Sequence, residues 1–253
     1  MKISIITATY NSAATVKDTI ESVLRQTHQD WELIIKDGGS SDATLDICHE
    51  LEARCGGRMK IISGPDSGIY DAMNQGIEAA TGDVIGLLNS DDFYTTCDVL
   101  ATVNEVMEQN ACDAVYGDIH YVNDDDLSKC VRYYSSAGFN RERMMQGWIP
   151  AHPSFYCRRN VYQRYGLFDT SFLVAADFEQ LLRLIYIEQI KTEYIPLDFV
   201  TMRMGGASNN GLGSRLTIMK EHLRAFRKNG IKNNFFRLST RYFSKLMEYG
   251  KKA

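Results

Sequence analysis

The chain has 253 residues, 44% hydrophobic and 24% charged, which excludes a disordered or fibrous polymer and allows a substantial core. No apolar run approaches bilayer-spanning length, and MKISIITATYNS lacks the long apolar stretch and small-residue cleavage site of a signal peptide. The net charge of −4 hides an asymmetry: residues 214–253 carry +9 and residues 1–213 carry −13, which points to two surfaces with different partners.

Residues 3–7 form a short apolar run, and 13–26 follow with helical spacing at Val16, Ile20, Val23 and Leu24. The alternation continues with a strand at 31–36, a helix at 43–54 capped from Ser40, Ser41 or Asp42, and a strand at 59–63. A helix at 69–80, a strand at 83–88, a helix at 98–109 and a strand at 114–119 complete the first half. Such alternation predicts an α/β, Rossmann-like fold with a mostly parallel sheet flanked by helices. The second half is less regular, with strands expected at 129–134, 153–157 and 199–204 and helices at 160–165 and 176–188. A loop at 205–213 separates this domain, 1–213, from a basic amphipathic helical extension, 214–253. Cys48, Cys55, Cys97, Cys112, Cys130 and Cys157 form no C-x-x-C pair, so reduced thiols and a cytoplasmic setting are expected.

In an open parallel sheet, ligands bind beyond the carboxyl ends of the strands. The first four predicted strands are followed by Ala8-Thr9-Tyr10-Asn11, Asp37-Gly38-Gly39-Ser40-Ser41-Asp42, Pro65-Asp66-Ser67-Gly68 and Asn89-Ser90-Asp91-Asp92. Three of the four carry carboxylates. The Asp91-Asp92 pair suits a hard divalent cation that brings phosphates with it, and equally a turn with a helix cap. Asp37 suits an acceptor for a base or sugar, or a turn residue beside two glycines. No G-x-G-x-x-G follows the first strand and no G-x-x-x-x-G-K-[ST] occurs, which argues against hydride transfer and P-loop hydrolysis and leaves a metal as the diphosphate partner.

These stretches, together with Ser4–Asn11, Ile69-Tyr70-Asp71-Ala72-Met73-Asn74, His152-Pro153-Ser154-Phe155, Gly166-Leu167-Phe168-Asp169, Ala176-Asp177-Phe178-Glu179 and Gly205-Gly206-Ala207-Ser208, resemble family 2 glycosyltransferases over roughly residues 2–210. The resemblance implies the GT-A fold, with residues 1–119 as the nucleotide-binding half and 120–213 as the acceptor-binding half. It implies that Thr7 and Tyr10 line a nucleobase pocket, that Asp37 accepts from the base, and that Asp66 lies near base or ribose. Asp91 would then sit at the ribose and sugar, and Asp92 would coordinate Mn2+ or Mg2+. Asn89 stands where many relatives carry Asp, and Ala176 where Glu is common.

Asp177 heads a predicted helix, where the dipole favours an ionised carboxylate; a plain cap gives the same pattern. The resemblance makes it the general base that takes the acceptor's proton in an inverting transfer. His152 is a candidate contact for diphosphate or acceptor, or a structural residue packed on Trp148. Arg203 is a candidate bidentate diphosphate donor or a solvated strand end. Gly205 and Gly206 open a candidate lid or a plain loop. In the extension, Leu216, Met219, Leu223 and Phe226, then Phe235, Leu238, Tyr242 and Leu246, fall at helical spacing among basic residues. They predict either packing on the domain or an anionic inner-leaflet membrane surface, and no nucleic-acid partner. The leading expectation is transfer from a nucleotide-sugar donor, first UDP-linked, to a saccharide or lipid-linked saccharide in cell-surface polysaccharide assembly. The alternatives are a non-catalytic nucleotide-sugar-binding scaffold on the same fold, and a sugar nucleotidyltransferase, which should show a Gly-rich basic loop that Thr9-Tyr10-Asn11 is not.

Overall fold

The computed structural model describes residues 1–205 and 211–238. β1 (Ile3–Thr9) is buried along its whole length, with β2 (Trp31–Asp37) parallel on one side and β3 (Met59–Ser63) beyond it. β4 (Val84–Leu87) pairs parallel on the other side. A strand paired on both edges and covered on both faces needs apolar residues throughout, which is why β1 shows little alternation in sequence. Its side chains still alternate in space. Ile3 and Ile5 enter one core with α1 (Val16–Leu24), α2 (Thr44–Glu52) and α4 (Val99–Gln109). Ile6 and Ala8 enter the other with α3 (Ile69–Ala79).

Beyond β4 the sheet becomes mixed. β8 (Tyr156–Arg158) lies antiparallel to β4, followed by β6 (Ala114–Asn123), β9 (Thr192–Arg203) and β5 (Phe93–Tyr94), while β7 (Asp126–Tyr134) extends from β6. Gly86 faces Tyr156 across the β4–β8 seam, and a Cβ there would fall 2.2 Å from the buried ring. The Tyr156 hydroxyl shares a 2.6 Å hydrogen bond with that of Tyr94. After α5 (Arg159–Tyr165) come α6 (Ala176–Leu181), continued by a π-helical turn at Leu182–Ile187, and α7 (Gly211–Lys228). α7 packs on α6: Ala225 and Phe226 are buried, and the Phe226 ring meets Phe178 edge-on at 5.5 Å.

The first-half elements match the predicted order closely. The expected strand at 153–157 is instead a 3-10 turn, His152–Ser154, followed by the short β8, because Pro153 cannot donate to a ladder. The strand expected at 199–204 begins at Thr192, and its pairing with β6 shifts register around Pro196. The loop expected at 205–213 gives way to helix at Gly211. All six cysteines are free thiols. Gly206, Ala207 and Ser208, and Tyr242 and Leu246 of the expected second basic helix, lie outside the described residues.

At the amino end of the sheet, Glu32 joins three segments. Its carboxylate accepts from Lys2 Nζ at 2.8 Å, Ser4 Oγ at 2.6 Å and the Thr81 and Gly82 amides at 2.6 and 3.1 Å. Burial alone would raise its pKa, but the donors outweigh it and hold the group at about 2, against an ordinary 4.5. The stabilisation from a depressed pKa is complete above the unfolded value and is lost as pH falls from about 4.5 towards about 2. Glu32→Gln should therefore cost on the order of 2 kcal/mol in urea melts at pH 7. The gap to the parent protein should narrow steadily below pH 4, and a gap independent of pH would contradict the assignment.

Candidate active site

The turn after β2 is built around one carboxylate. Asp37 Oδ2 accepts from the Gly39 amide at 2.9 Å and Ser63 Oγ at 2.8 Å, and Oδ1 accepts from Ser40 Oγ at 2.5 Å. Burial raises the Asp37 pKa, yet these donors leave it below the usual carboxylate value. The residue is wholly buried and its oxygens are taken by its own loop. Thr7 is also wholly buried, with a hydroxyl that has no partner. As placed, both side chains lie beneath the surface of the rim.

Tyr10 and Asp66 do face the rim. Tyr10 is 63% exposed. Between them lies Gly38, where a Cβ would come within 2.8 Å of Asp66 Oδ2 and 3.5 Å of Tyr10 Cδ2. An aromatic ring, bare backbone and a carboxylate thus meet in one place, an arrangement suited to a flat heterocycle with N–H donors. Asp66 is held there by Lys36, a buried lysine whose Nζ donates to Asp37 O at 2.7 Å, Gly64 O at 2.8 Å and Asp66 Oδ2 at 3.2 Å.

The 89–92 turn lies beside it, linked through a 2.9 Å contact between the Ser12 and Ser90 hydroxyls. Asp92 is almost fully buried; Oδ2 accepts from Asn89 Nδ2 at 3.2 Å, and Oδ1 has no partner. Burial, then the charge of Asp91, pushes the Asp92 pKa well above the ordinary range, and burial also raises that of Asp91. An orphaned carboxylate oxygen beside a second carboxylate fits a divalent cation that prefers oxygen ligands. Among the described residues no three His, Cys, Asp or Glu side chains gather as a ready cage, so such an ion would draw its remaining ligands from phosphates and water. Arg203 is next to this turn but already engaged. It donates to Asp91 O at 2.8 Å, pairs with Asp18 and with Asp124 at 3.1 Å, and lies over the Phe93 ring. As placed, its guanidinium ties the turn to Asp18 and Asp124. Gly205 follows with φ +114, a conformation that favours glycine.

Asp177 lies in the first turn of α6. Its Oδ1 accepts from the Phe178 amide at 2.7 Å, and its Oδ2 lies 3.7 Å from His152 Nδ1. Both side chains are about a quarter exposed. Burial lowers the His152 pKa against the opposing pull of Asp177, so the neutral imidazole is favoured. Tyr70, four residues after Asp66, stacks on Phe168 at 5.7 Å and lies near the Asp177 carboxylate. Burial pushes the phenol pKa far up, so it stays protonated. Sequence reading missed Lys36 and Tyr70 as site residues. A lysine at the end of an apolar strand was the one available signal for the first; the second was hidden by a helical pattern.

Three comparisons bear on this geometry. The model of the family described as "Glycosyl transferase family 2" matches residues 4–169. A PGL/p-HBAD biosynthesis glycosyltransferase of Mycobacterium tuberculosis is 32% identical over 208 residues, 81% of this chain and 78% of that protein. Chondroitin synthase of Pasteurella multocida is 30% identical over 189 residues, 75% of this chain but 19% of that much longer protein. Among solved structures, S. aureus TarS superposes with TM-score 0.68 at 16% identity, over 88% of this chain and 39% of TarS. A mannosyltransferase from Pyrobaculum calidifontis, solved with GDP-Man and Mn2+, gives 0.66 at 16% identity, over 92% of this chain and 65% of that one. With a curled, mixed sheet whose carboxyl rim carries the aromatic, glycine and carboxylate cluster, the chain has the GT-A fold and belongs to glycosyl transferase family 2.

Proposed function

We propose that the chain transfers a sugar from a nucleoside diphosphate donor to a hydroxyl of a saccharide acceptor, inverting the anomeric carbon. The observation that carries this is the Asp177 carboxylate, partly exposed beside His152 in the first turn of α6. Tyr10, Gly38 and Asp66 take the base. TarS has been solved with UDP and with UDP-GlcNAc, which supports a UDP-linked donor. Asp91 and Asp92 hold a divalent cation, which when bound offsets the charge of the diphosphate leaving group. Asp177 accepts the proton of the acceptor hydroxyl as its oxygen bonds to the anomeric carbon. The bond from that carbon to the diphosphate breaks on the opposite face, and the nucleoside diphosphate departs with the electron pair. His152 orients Asp177 and lies where the acceptor arrives.

The acceptor is a lipid-linked saccharide in glycolipid or cell-surface polysaccharide assembly, supported by the names of the mycobacterial and Pasteurella relatives. α7 and the residues after it support a cytoplasmic protein resting on the inner leaflet. Leu216 is 59% and Phe236 81% exposed, among exposed Lys220, Arg227, Lys232 and Arg237. Among the described residues no helix is long and apolar enough to cross a bilayer.

Three measurements test this reading. Asp177→Asn should lower kcat by about 10²- to 10⁴-fold with nucleotide affinity unchanged; a parallel loss of affinity would remove Asp177 from the base role. In thermal-shift titrations, UDP should raise Tm only with Mn2+ or Mg2+ present, and Asp91→Asn should abolish the metal-dependent part. No shift with any nucleoside diphosphate would favour a scaffold. Vesicles containing anionic lipid should bind the full chain at low salt, with Phe236→Ser and Lys232→Glu each weakening binding; equal binding to neutral vesicles would count against the charged surface.

A further inference from the structure

The segment that delivers Asp177 is held from outside the stretch matched by the family model, which ends at residue 169. Glu221, on α7, is 8% exposed and turns its carboxylate towards the chain just before α6. Its Oε1 accepts from the Leu173 amide, and its Oε2 from the Val174 and Ala175 amides, all at 2.9 Å. The Phe178 amide binds the Asp177 carboxylate itself. Three of the six amides of residues 173–178 are therefore held by one side chain. The next residue of α7, His222, stacks on Phe178 at 3.8 Å, so the same helix also presses on the neighbour of Asp177.

Three successive amides converging on one carboxylate form a directional clamp. Loss of the clamp frees the backbone that sets the Asp177 side chain, and a base displaced by an ångström loses much of its effect. We infer that Glu221 is a positioning residue for Asp177, which makes the basic C-terminal helix a working part of the catalytic unit. This inference rests on Asp177 acting as the base.

The test is steady-state kinetics on full-length Glu221→Gln, Glu221→Asp and Glu221→Ala, alongside Asp177→Asn, with nucleotide affinity measured for each. Glu221→Ala should lower kcat about 10-fold or more, while the donor KM and nucleotide affinity stay within about twofold. Glu221→Gln, which keeps one acceptor oxygen, should recover part of kcat. Asn233→Ala, which removes the extension's bond to Met145 O, should leave kcat unchanged. In the parent protein the Leu173, Val174 and Ala175 amides should exchange hydrogen as slowly as the centre of a helix.

Three results would overturn the inference: parental kcat in folded Glu221→Gln and Glu221→Asp while Asp177→Asn is inactive, an equal loss of nucleotide affinity, or fast exchange at residues 173–175. Should Glu221→Ala fail to fold, the Gln and Asp variants and the exchange rates decide. Full activity in Asp177→Asn would instead defeat the assignment of the base.

Discussion

Backbone amides around this rim are held by side chains, most often by carboxylates. Asp37 takes Gly39 and Ser40, Asp42 takes Ala13 and Thr44, Asp66 takes Gly68, Asp71 takes Ser67, and Glu221 takes residues 173–175. Where such an amide is buried, as at Ala175, leaving it unpaired costs roughly 1–3 kcal/mol. The consequence for chemistry is subtractive. An acid whose oxygens are consumed by its loop supports the site from below, as Asp37 does. Asp92 Oδ1 has no partner and the Asp177 carboxylate is partly exposed, so these two acids keep oxygen that their own loops do not use.

Charge follows the same division. Among the described residues, Lys36 and Arg203 lie at the rim and both are committed to protein oxygens. With 1–213 at −13 overall, the rim offers little free positive charge to an incoming diphosphate. Bringing two further negative groups against Asp91 and Asp92 in a half-buried place would be strongly unfavourable. A divalent cation would remove that conflict and could be held by Asp92, whose Oδ1 has no partner, which is the physical support for the proposed metal.

The first four strands and their helices were legible because each is a short apolar run or a helical stripe with its own turn chemistry, and the rim loops could be located from them. β5 was not: two residues, Phe93 and Tyr94, carry no periodicity. β9 was half hidden, since Pro196 interrupts a strand that tolerates it only at a register shift. The motifs located the loops that carry Asp66 and Asp91 and the turn that carries Asp177 beside His152. They did not distinguish acids with free oxygen from acids whose oxygens face their own loop, as Asp37 does. Nor does any spacing in the chain link Glu221 to residues 173–175, since that contact spans more than forty positions and exists only after α7 docks.

The brevity of α6 explains why so much is brought to bear on it. Six residues make few internal hydrogen bonds, and the first-turn amides of any helix lack partners within it. The following π-helical turn continues the rod but does not stiffen its start. An acid at the second position of such a helix inherits no fixed direction from local structure. Its direction has to come from tertiary contacts, and here they arrive from α7, through Glu221 and His222. The helix that carries the basic surface is thus joined to the segment that bears Asp177, the carboxylate proposed to act on the acceptor.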